Sequence, residues 1–251
     1  RGLKELGGKT PLQAAFTPNM DKLAKEGTLG VVRTIPEGLH PGSDVANLSI
    51  LGYDPKKFYT GRAPLEAASI GVKLGDKDVA YRCNLVTLRY DREKTKAYME
   101  DYSAGHISTA EARVLIEDLN KEIGSEKVSF YPGVSYRHLM VWTDGEAGSE
   151  CTPPHDIIGK EITDYLPLGS GGEFLRSLMR DSVDILESHE INKQRMNSGK
   201  KPANSIWLWG QGRKPELEPF TERFGISGAA ISAVDLIRGI AKLARMRVVH
   251  V

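Results

Sequence analysis

The chain changes texture at Gly75-Asp76-Lys77-Asp78, and this polar turn limits the folds open to it. Before the turn, helix and strand signals alternate at short range. Thr17-Pro18 sets a capping residue ahead of proline at the first helical position, Asn19 to Glu26 is helix-compatible, and Gly27 supplies the stop. Gly30 to Ile35 reads as a short strand, Pro36 to Gly42 as a loop and Ser43 to Leu51 as a helix. That order predicts an α/β layer. After the turn, Val79 to Leu88 is β-rich. Ser108 and Glu111 form a capping box ahead of a helix to Ile123, with Val114, Leu115 and Leu119 as its apolar stripe. Gly133 to Trp142 alternates Val134, Tyr136, His138 and Met140 with Ser135, Arg137, Leu139 and Val141, as one strand. Glu173 to Asn197 reads as one long helix stopped by Gly199, and Ser205 to Trp209 as a strand. Residues 77–212 thus predict a small α/β domain of their own, with the polar turn as its hinge. Beyond Arg213 come the apolar run Ala229-Ala230-Ile231, an amphipathic helix over Val234 to Met246, and a strand-like Arg247 to Val251. Val234, Ile237, Ile240 and Leu243 are its expected inward face.

Charge narrows the function classes. Thirty-four Lys and Arg against thirty-three Asp and Glu leave a net charge of +1, which gives no electrostatic footprint for nucleic acid or an anionic membrane surface. Any bound anion must be held by local geometry. With 40% hydrophobic and 27% charged residues the composition is that of an ordinary globular chain, which excludes collagenous, disulfide-scaffold and disordered classes. No run approaches the roughly eighteen apolar residues of a membrane helix. Cys83 and Cys151 sit in no paired spacing and read as reduced thiols of a cytoplasmic protein. Arg1 to Gly8 has neither an apolar signal segment nor an initiator Met, and reads as a cut or processed end.

The segment richest in chemistry is Gly38-Leu39-His40-Pro41-Gly42-Ser43-Asp44-Val45-Ala46-Asn47. A serine directly after glycine, at the first residue of a helix, lies where free backbone N–H groups and the helix dipole favour an anion. Its hydroxyl becomes a nucleophile near neutral pH only with help from a cation or base. The competing reading is that Ser43 merely caps a helix. The hydrolase pattern G-x-S-x-G is not matched. Elsewhere, Trp207 and Trp209 share one face of a strand, as packing residues would. Gly169 to Glu173 lacks the surroundings of a phosphate loop and reads as a flexible helix entry. Lys193, Arg195, Lys200 and Lys201 read as a solvated helix end, and His40, His189 and His250 as structural or exposed.

Longer motifs carry a resemblance. They are Lys9 to Ala15 with Thr17 to Ala24, Pro41-Gly-Ser-Asp-Val-Ala-Asn-Leu-Ser-Ile-Leu-Gly-Tyr-Asp-Pro55, Tyr59-Thr-Gly-Arg-Ala-Pro-Leu-Glu66, Tyr81 to Val86, Ser103 to Ser108, Pro153 to Gly159, Leu208 to Pro215 and Ile231 to Asp235. In order, from end to end, they resemble the cofactor-independent phosphoglycerate mutases, more narrowly the archaeal-type branch of the 2,3-bisphosphoglycerate-independent enzymes in the alkaline phosphatase superfamily. The resemblance implies an α/β fold: a partial alkaline-phosphatase-like core with a three-layer, mostly parallel sheet over residues 1–76, an inserted α/β cap over 77–212 that clamps the substrate, and a return into the core over 213–251. It implies interconversion of 3-phosphoglycerate and 2-phosphoglycerate through a phosphoserine, with two divalent metals (manganese first, zinc or magnesium as alternatives) and no 2,3-bisphosphoglycerate. By motif, Ser43 is the nucleophile and a metal ligand. His106, Arg213, Arg82, Arg137, His155, Asp156 and Arg62 are the substrate-binding set, since arginine's planar fork suits carboxylate and phosphate. Against each stands a plainer reading, a surface ion pair for an arginine or a structural role for a lone histidine. A small phosphorylated acid is the implied partner, and a homo-oligomer stays open.

Family members open with a strand ending in an aspartate ligand upstream of where this chain begins, and continue past Val251 into further aspartate and histidine ligands. The expectation is therefore a fragment of the enzyme, inactive by itself, since Ser43 alone holds no metal. The alternatives are a metal-dependent phosphatase or other phosphotransferase of the same superfamily, and a catalytically silent module that binds a phospho-acid.

Overall fold

The structure is a computed structural model and describes residues 1–249; His250 and Val251 lie outside the described residues. Contacts divide the chain into two units, Arg1–Thr34 and Ile35–Val251. In the first, a short 3-10 turn precedes α1 (Pro11–Ala14) and α2 (Pro18–Glu26). Thr10 and Gln13 cap α1 reciprocally, and Gly27 ends α2 as expected. The strand expected from Gly30 is not formed: residues 30–35 run as coil and bend, with Val31 and Val32 exposed. A strand persists only where its N–H and C=O groups meet a partner, and among the described residues none pairs with this stretch.

The second unit opens with α3 (Ser43–Ile50), α4 (Pro55–Phe58) and α5 (Ala63–Ile70). Then come β1 (Val79–Tyr90), β2 (Ala97–Asp101), α6 (Thr109–Glu122), β3 (Val128–Val134), β4 (Arg137–Trp142), the short pair β5 (Ser149–Glu150) and β6 (Leu168–Gly169), α7 (Gly172–Ser188), α8 (Glu190–Asn197) and β7 (Ser205–Gly212). The chain closes with α9 (Phe220–Phe224), β8 (Ala229–Ile231), α10 (Asp235–Leu243) and β9 (Arg247–Val249). The α/β class holds. β1 is the hub of a five-stranded sheet, pairing antiparallel with β2, β4 and β7, while β3 pairs with β4. Among the described residues, the one parallel pairing is that of β8 with β9, and residues 1–76 contribute no strand.

Alternation along β1 sorts its side chains. Val79, Tyr81, Cys83 and Leu85 enter the large core that α6 and α7 cover, whereas Ala80 packs with Ala63 and Ala67 of α5 and with Leu139. Arg82 is in phase with Ala80 and so faces the α5 side. A further core joins Leu48, Tyr53, Phe58 and Leu65 to Leu236, Ile240 and Ala244. There α10 lies so close to α5 that a β-carbon at Gly239 would strike the carbonyl of Leu65.

The sequence reading of three segments needs correction. Gly133 to Trp142 is a hairpin and not one strand: Val134 pairs with Arg137, and Ser135 turns the chain with φ +54. The helix expected from Glu173 to Asn197 breaks at His189, which is extended (ψ 138) and whose Nδ1 accepts from the N–H of Ile191, starting α8 afresh. On α10 Ile240 is buried and Leu243 packs against the core as expected, with Leu236, Gly239 and Ala241 also buried, while Val234 precedes the helix and is exposed. The capping box of Ser108 and Glu111 is formed as expected.

Candidate active site

Two glycine-containing loops build the floor of the site. Gly61, with φ +147, lies against the main chain of Gln211, and Gly212 against Thr60; a β-carbon at either would collide with a facing carbonyl. The Thr60 hydroxyl donates to the carbonyl of Arg213 at 2.6 Å and fixes the crossing. Thr60 leads directly into α5, and Gln211 and Gly212 end β7, so the crossing sets α5 against the sheet.

Beside it opens a cavity of about 550 Å³. Its walls include Gly42 and Asp44, Tyr59 to Arg62, Cys151, His155 with Asp156, and Trp209 to Gln211. Ser43 is exposed at the first residue of α3, between two of these wall residues. Asp44 is nearly buried, and its carboxylate accepts from the Tyr59 hydroxyl at 2.5 Å and from the N–H of Val45 at 3.1 Å. Burial and the Asp44 carboxylate push the Tyr59 hydroxyl far above its ordinary value, so it stays protonated and donates. Burial raises the Cys151 thiol to about 11, and both cysteines are free. His40, which the sequence reading leaves as structural or exposed, also lines the cavity.

The arginines meet on one carboxylate. Glu66 of α5 accepts from Arg62 Nε at 3.0 Å and, with its other oxygen, from Arg82 Nε at 2.9 Å. Arg82 is 5% exposed, with its guanidinium 4.2 Å from the Trp209 ring centre. Trp209 in turn donates to Asn84 Oδ1 at 3.0 Å. Packing is thus only part of its role, whereas Trp207 is fully buried and donates to the carbonyl of Thr152. The His155 ring meets Trp209 edge-on at 5.3 Å between centres. Partial burial lowers the His155 pKa; Asp156 opposes this and the Arg82 and Arg62 charges reinforce it.

Other expected residues are placed at its margin. An aromatic run leads from His155 through Tyr102 and Tyr136 to His106, with centre distances of 6.1, 5.6 and 6.1 Å. His106 is exposed on a left-handed turn in which Ala104, Gly105 and His106 all have positive φ. Arg137 shares the Arg82 face of the sheet, because Arg82 pairs with Leu139 and Asn84 with Arg137. It borders a small gap with Glu66, His138 and Asp235. Arg213 is turned elsewhere, donating to the main-chain carbonyls of Lys77 and Gly145 and so tying down the polar turn. Glu66, Tyr59, Asp44 and Gln211 are not among the site residues expected from the sequence. The four-residue spacing of Arg62 and Glu66 on a helix is the available signal for the first. Arg195, read as solvated, is instead buried.

Among the described residues, no group of three or more His, Cys, Asp or Glu side chains comes together as metal ligands. The carboxylate of Asp44, next to Ser43 in sequence, already accepts from the Tyr59 hydroxyl. These residues do not by themselves fit a two-metal centre.

The model of the 2,3-bisphosphoglycerate-independent phosphoglycerate mutase family matches residues 24–192. The chain belongs to that family. A family member from Methanosarcina barkeri with that name is 57% identical over 250 residues, covering 99% of this chain and 61% of the relative. A probable phosphoglycerate mutase of the same kind from Geobacter sulfurreducens is 56% identical over 249 residues, covering 99% and 62%. Among solved structures, a protein of Pyrococcus horikoshii is similar over 100% of this chain and 58% of its own, with 31% identity and a TM-score of 0.75. A cofactor-independent phosphoglycerate mutase from Thermoplasma acidophilum shares 28% identity over 100% and 66%, with a TM-score of 0.62. The chain spans about three-fifths of the length of the curated mutase relatives.

Proposed function

We propose that the whole protein interconverts 3-phosphoglycerate and 2-phosphoglycerate, through a phosphoserine on Ser43 and without 2,3-bisphosphoglycerate. The observation that carries this is the exposed Ser43 at a helix N-terminus, flanked by two walls of a cavity that Arg62, His155 and Asp156 also line, in a chain of the mutase family. A cavity of about 550 Å³ suits a small acid. The α3 amides favour the phosphoryl oxygens, and the paired arginines favour phosphate or carboxylate. In the proposed transfer, Ser43 Oγ gives up its proton and bonds to phosphorus as the bond to the C3 oxygen breaks, and the C3 oxygen takes up that proton. After the glycerate turns, its C2 oxygen bonds to phosphorus as the Ser43 Oγ–phosphorus bond breaks, and the C2 hydroxyl proton returns to Ser43 Oγ.

The same reading treats residues 77–212 as an inserted cap. In support, one core draws on residues from Val79 to Trp209, and another joins Leu48 to Leu65 with Leu236 to Ala244 across it. Divalent metals, manganese first, are part of the proposal for the whole protein; the described residues supply no complete ligand set for them. A glycolytic role in the cytoplasm follows from the proposed reaction, and no helix of the described residues is long and apolar enough to cross a membrane.

The test is the full-length protein with 3-phosphoglycerate and manganese. Formation of 2-phosphoglycerate, abolished in Ser43→Ala with the fold intact, is the expected result. Free phosphate without 2-phosphoglycerate would establish the phosphatase instead, and turnover retained in Ser43→Ala would remove Ser43 as nucleophile.

A further inference from the structure

Glu66 stands at a junction that the transfer chemistry does not itself require. Its side chain is 12% exposed, and each carboxylate oxygen is used once, on Arg62 from the start of its own helix and on Arg82 from the central strand of the sheet. Both arginines bind through Nε. Among the described residues, neither one's terminal amino groups hydrogen-bond to protein. A guanidinium held by Nε keeps its Nη groups as a free pair of donors in a fixed plane, the geometry that grips a phosphate or carboxylate.

The backbone makes room for this arrangement. A β-carbon at Gly210, where φ is +63, would lie 3.4 Å from Arg82 Cδ and 3.7 Å from Arg62 Cβ, so this residue sits against both arginine side chains. Trp209 supports the Arg82 guanidinium from its face. Charge explains why a carboxylate is needed. Burial and the Arg62 charge both work against the Arg82 cation, and Glu66 is its nearest counter-charge. Without Glu66, two neighbouring cations repel, one of them almost wholly out of water. The half-exposed Arg62 is then free to swing into solvent.

We propose that Glu66 is the positioning residue that yokes Arg62 to Arg82 and turns their terminal amino groups toward the anion the cavity takes. This rests on the mutase reading for the identity of that anion, a phosphorylated hydroxy acid, and the experiment separates the two. Inorganic phosphate binding to the full-length protein, measured by calorimetry, needs no turnover. In Glu66→Gln, phosphate affinity falls roughly tenfold, the loss of about one charge-assisted hydrogen bond, and the KM for 3-phosphoglycerate rises by more than kcat falls. Glu66→Asp keeps the charge but is one methylene shorter, so it spans the two arginines poorly; it weakens phosphate in the same direction and serves where Glu66→Gln does not fold. A folded variant of either kind that binds phosphate as tightly as the parent overturns the positioning role, as does a parent protein that binds no phosphate. A parent that binds phosphate but forms no 2-phosphoglycerate overturns the mutase reading and leaves the yoke to be judged on phosphate alone.

Discussion

Arg195 Nη2 donates to the carbonyl of Ala104 at 2.6 Å, across 91 positions of sequence. The same guanidinium donates to the carbonyl of Lys201 at 2.9 Å and to Glu111 at 3.0 Å. It thus spans α8, α6 and the turn bearing His106, where Ala104 and His106 have φ of +48 and +52. Such conformations cost on the order of 1 kcal/mol or more for a non-glycine residue, and the buried fork holds them in place. Arg195→Lys keeps the charge and loses the fork. It is expected to lower stability by about 2–3 kcal/mol in urea denaturation and to speed amide exchange at residues 104–107. Stability unchanged within about 0.5 kcal/mol sets this role aside.

Tyr59 and Asp44 give the second prediction. Among the described residues, the hydroxyl is the one side-chain donor to a carboxylate that lies next to Ser43 and is 7% exposed. In Tyr59→Phe that nearly buried oxygen loses its hydrogen-bond partner, a cost of about 1–3 kcal/mol. The expected result is that loss in stability, together with slower Ser43-dependent turnover in the full-length protein. Unaltered turnover at unaltered stability would show that Asp44 keeps its place without Tyr59.

What the sequence makes legible is local. The capping box of Ser108 and the helix opening at Ser43 depend on residues within one turn of each other, and both stand as expected. Periodicity also puts Arg82 and Trp209 on strands, and the motifs bring Arg62 and His155 to notice. Long-range pairing is beyond such signals. Nothing near Glu66 says that Arg82, sixteen residues on, returns to its second oxygen, because that contact follows from how the sheet lies on α5. Arg195 looks like one more charge in a polar stretch until the turn at Ala104 folds onto it. The hairpin at Ser135 is hidden for a different reason: alternation continues through Gly133 to Trp142, and a two-residue turn interrupts direction without disturbing the pattern.

The glycine crossing yields the third prediction. Gly61→Ala adds a methyl group where the Gln211 carbonyl already stands, at a φ of +147 that alanine resists. Either the Thr60–Arg213 contact opens or α5 moves off the sheet, and both separate Glu66 from Arg82. Stability is expected to drop by roughly 2–4 kcal/mol, with phosphate binding weakened beyond what Glu66→Gln alone does. Gly71→Ala is the control, since Gly71 also has positive φ but a β-carbon there would meet nothing within 4 Å; its loss should be about 1 kcal/mol with no effect on phosphate.

His138 provides a prediction in pH. Burial, with smaller contributions from Arg113 and Arg137, lowers its pKa to about 3, although a backbone hydrogen bond at Ser135 works the other way. Its Nδ1 accepts from the N–H of Gly133 at 3.0 Å, which fixes the neutral form. Glu66 and Asp235 border the same gap. The unfolded chain takes up a proton at this residue near its ordinary value of 6.5, whereas the folded chain does so only near 3. Between those values the unfolded state binds more protons, so stability rises with pH through the window and falls as the solution is acidified. The contribution is whole above about 6.5 and is lost on the way down to about 3, at no more than roughly 1.4 kcal/mol per pH unit. Carboxylates titrate in the same range, so the quantity to measure is the difference between the parent and His138→Gln in denaturation free energy at pH 7, 6, 5 and 4. The gap between the two curves is expected to narrow steadily below pH 6.5 as the parent alone loses this contribution. Parallel curves would mean that His138 charges in the folded protein as readily as in the unfolded one.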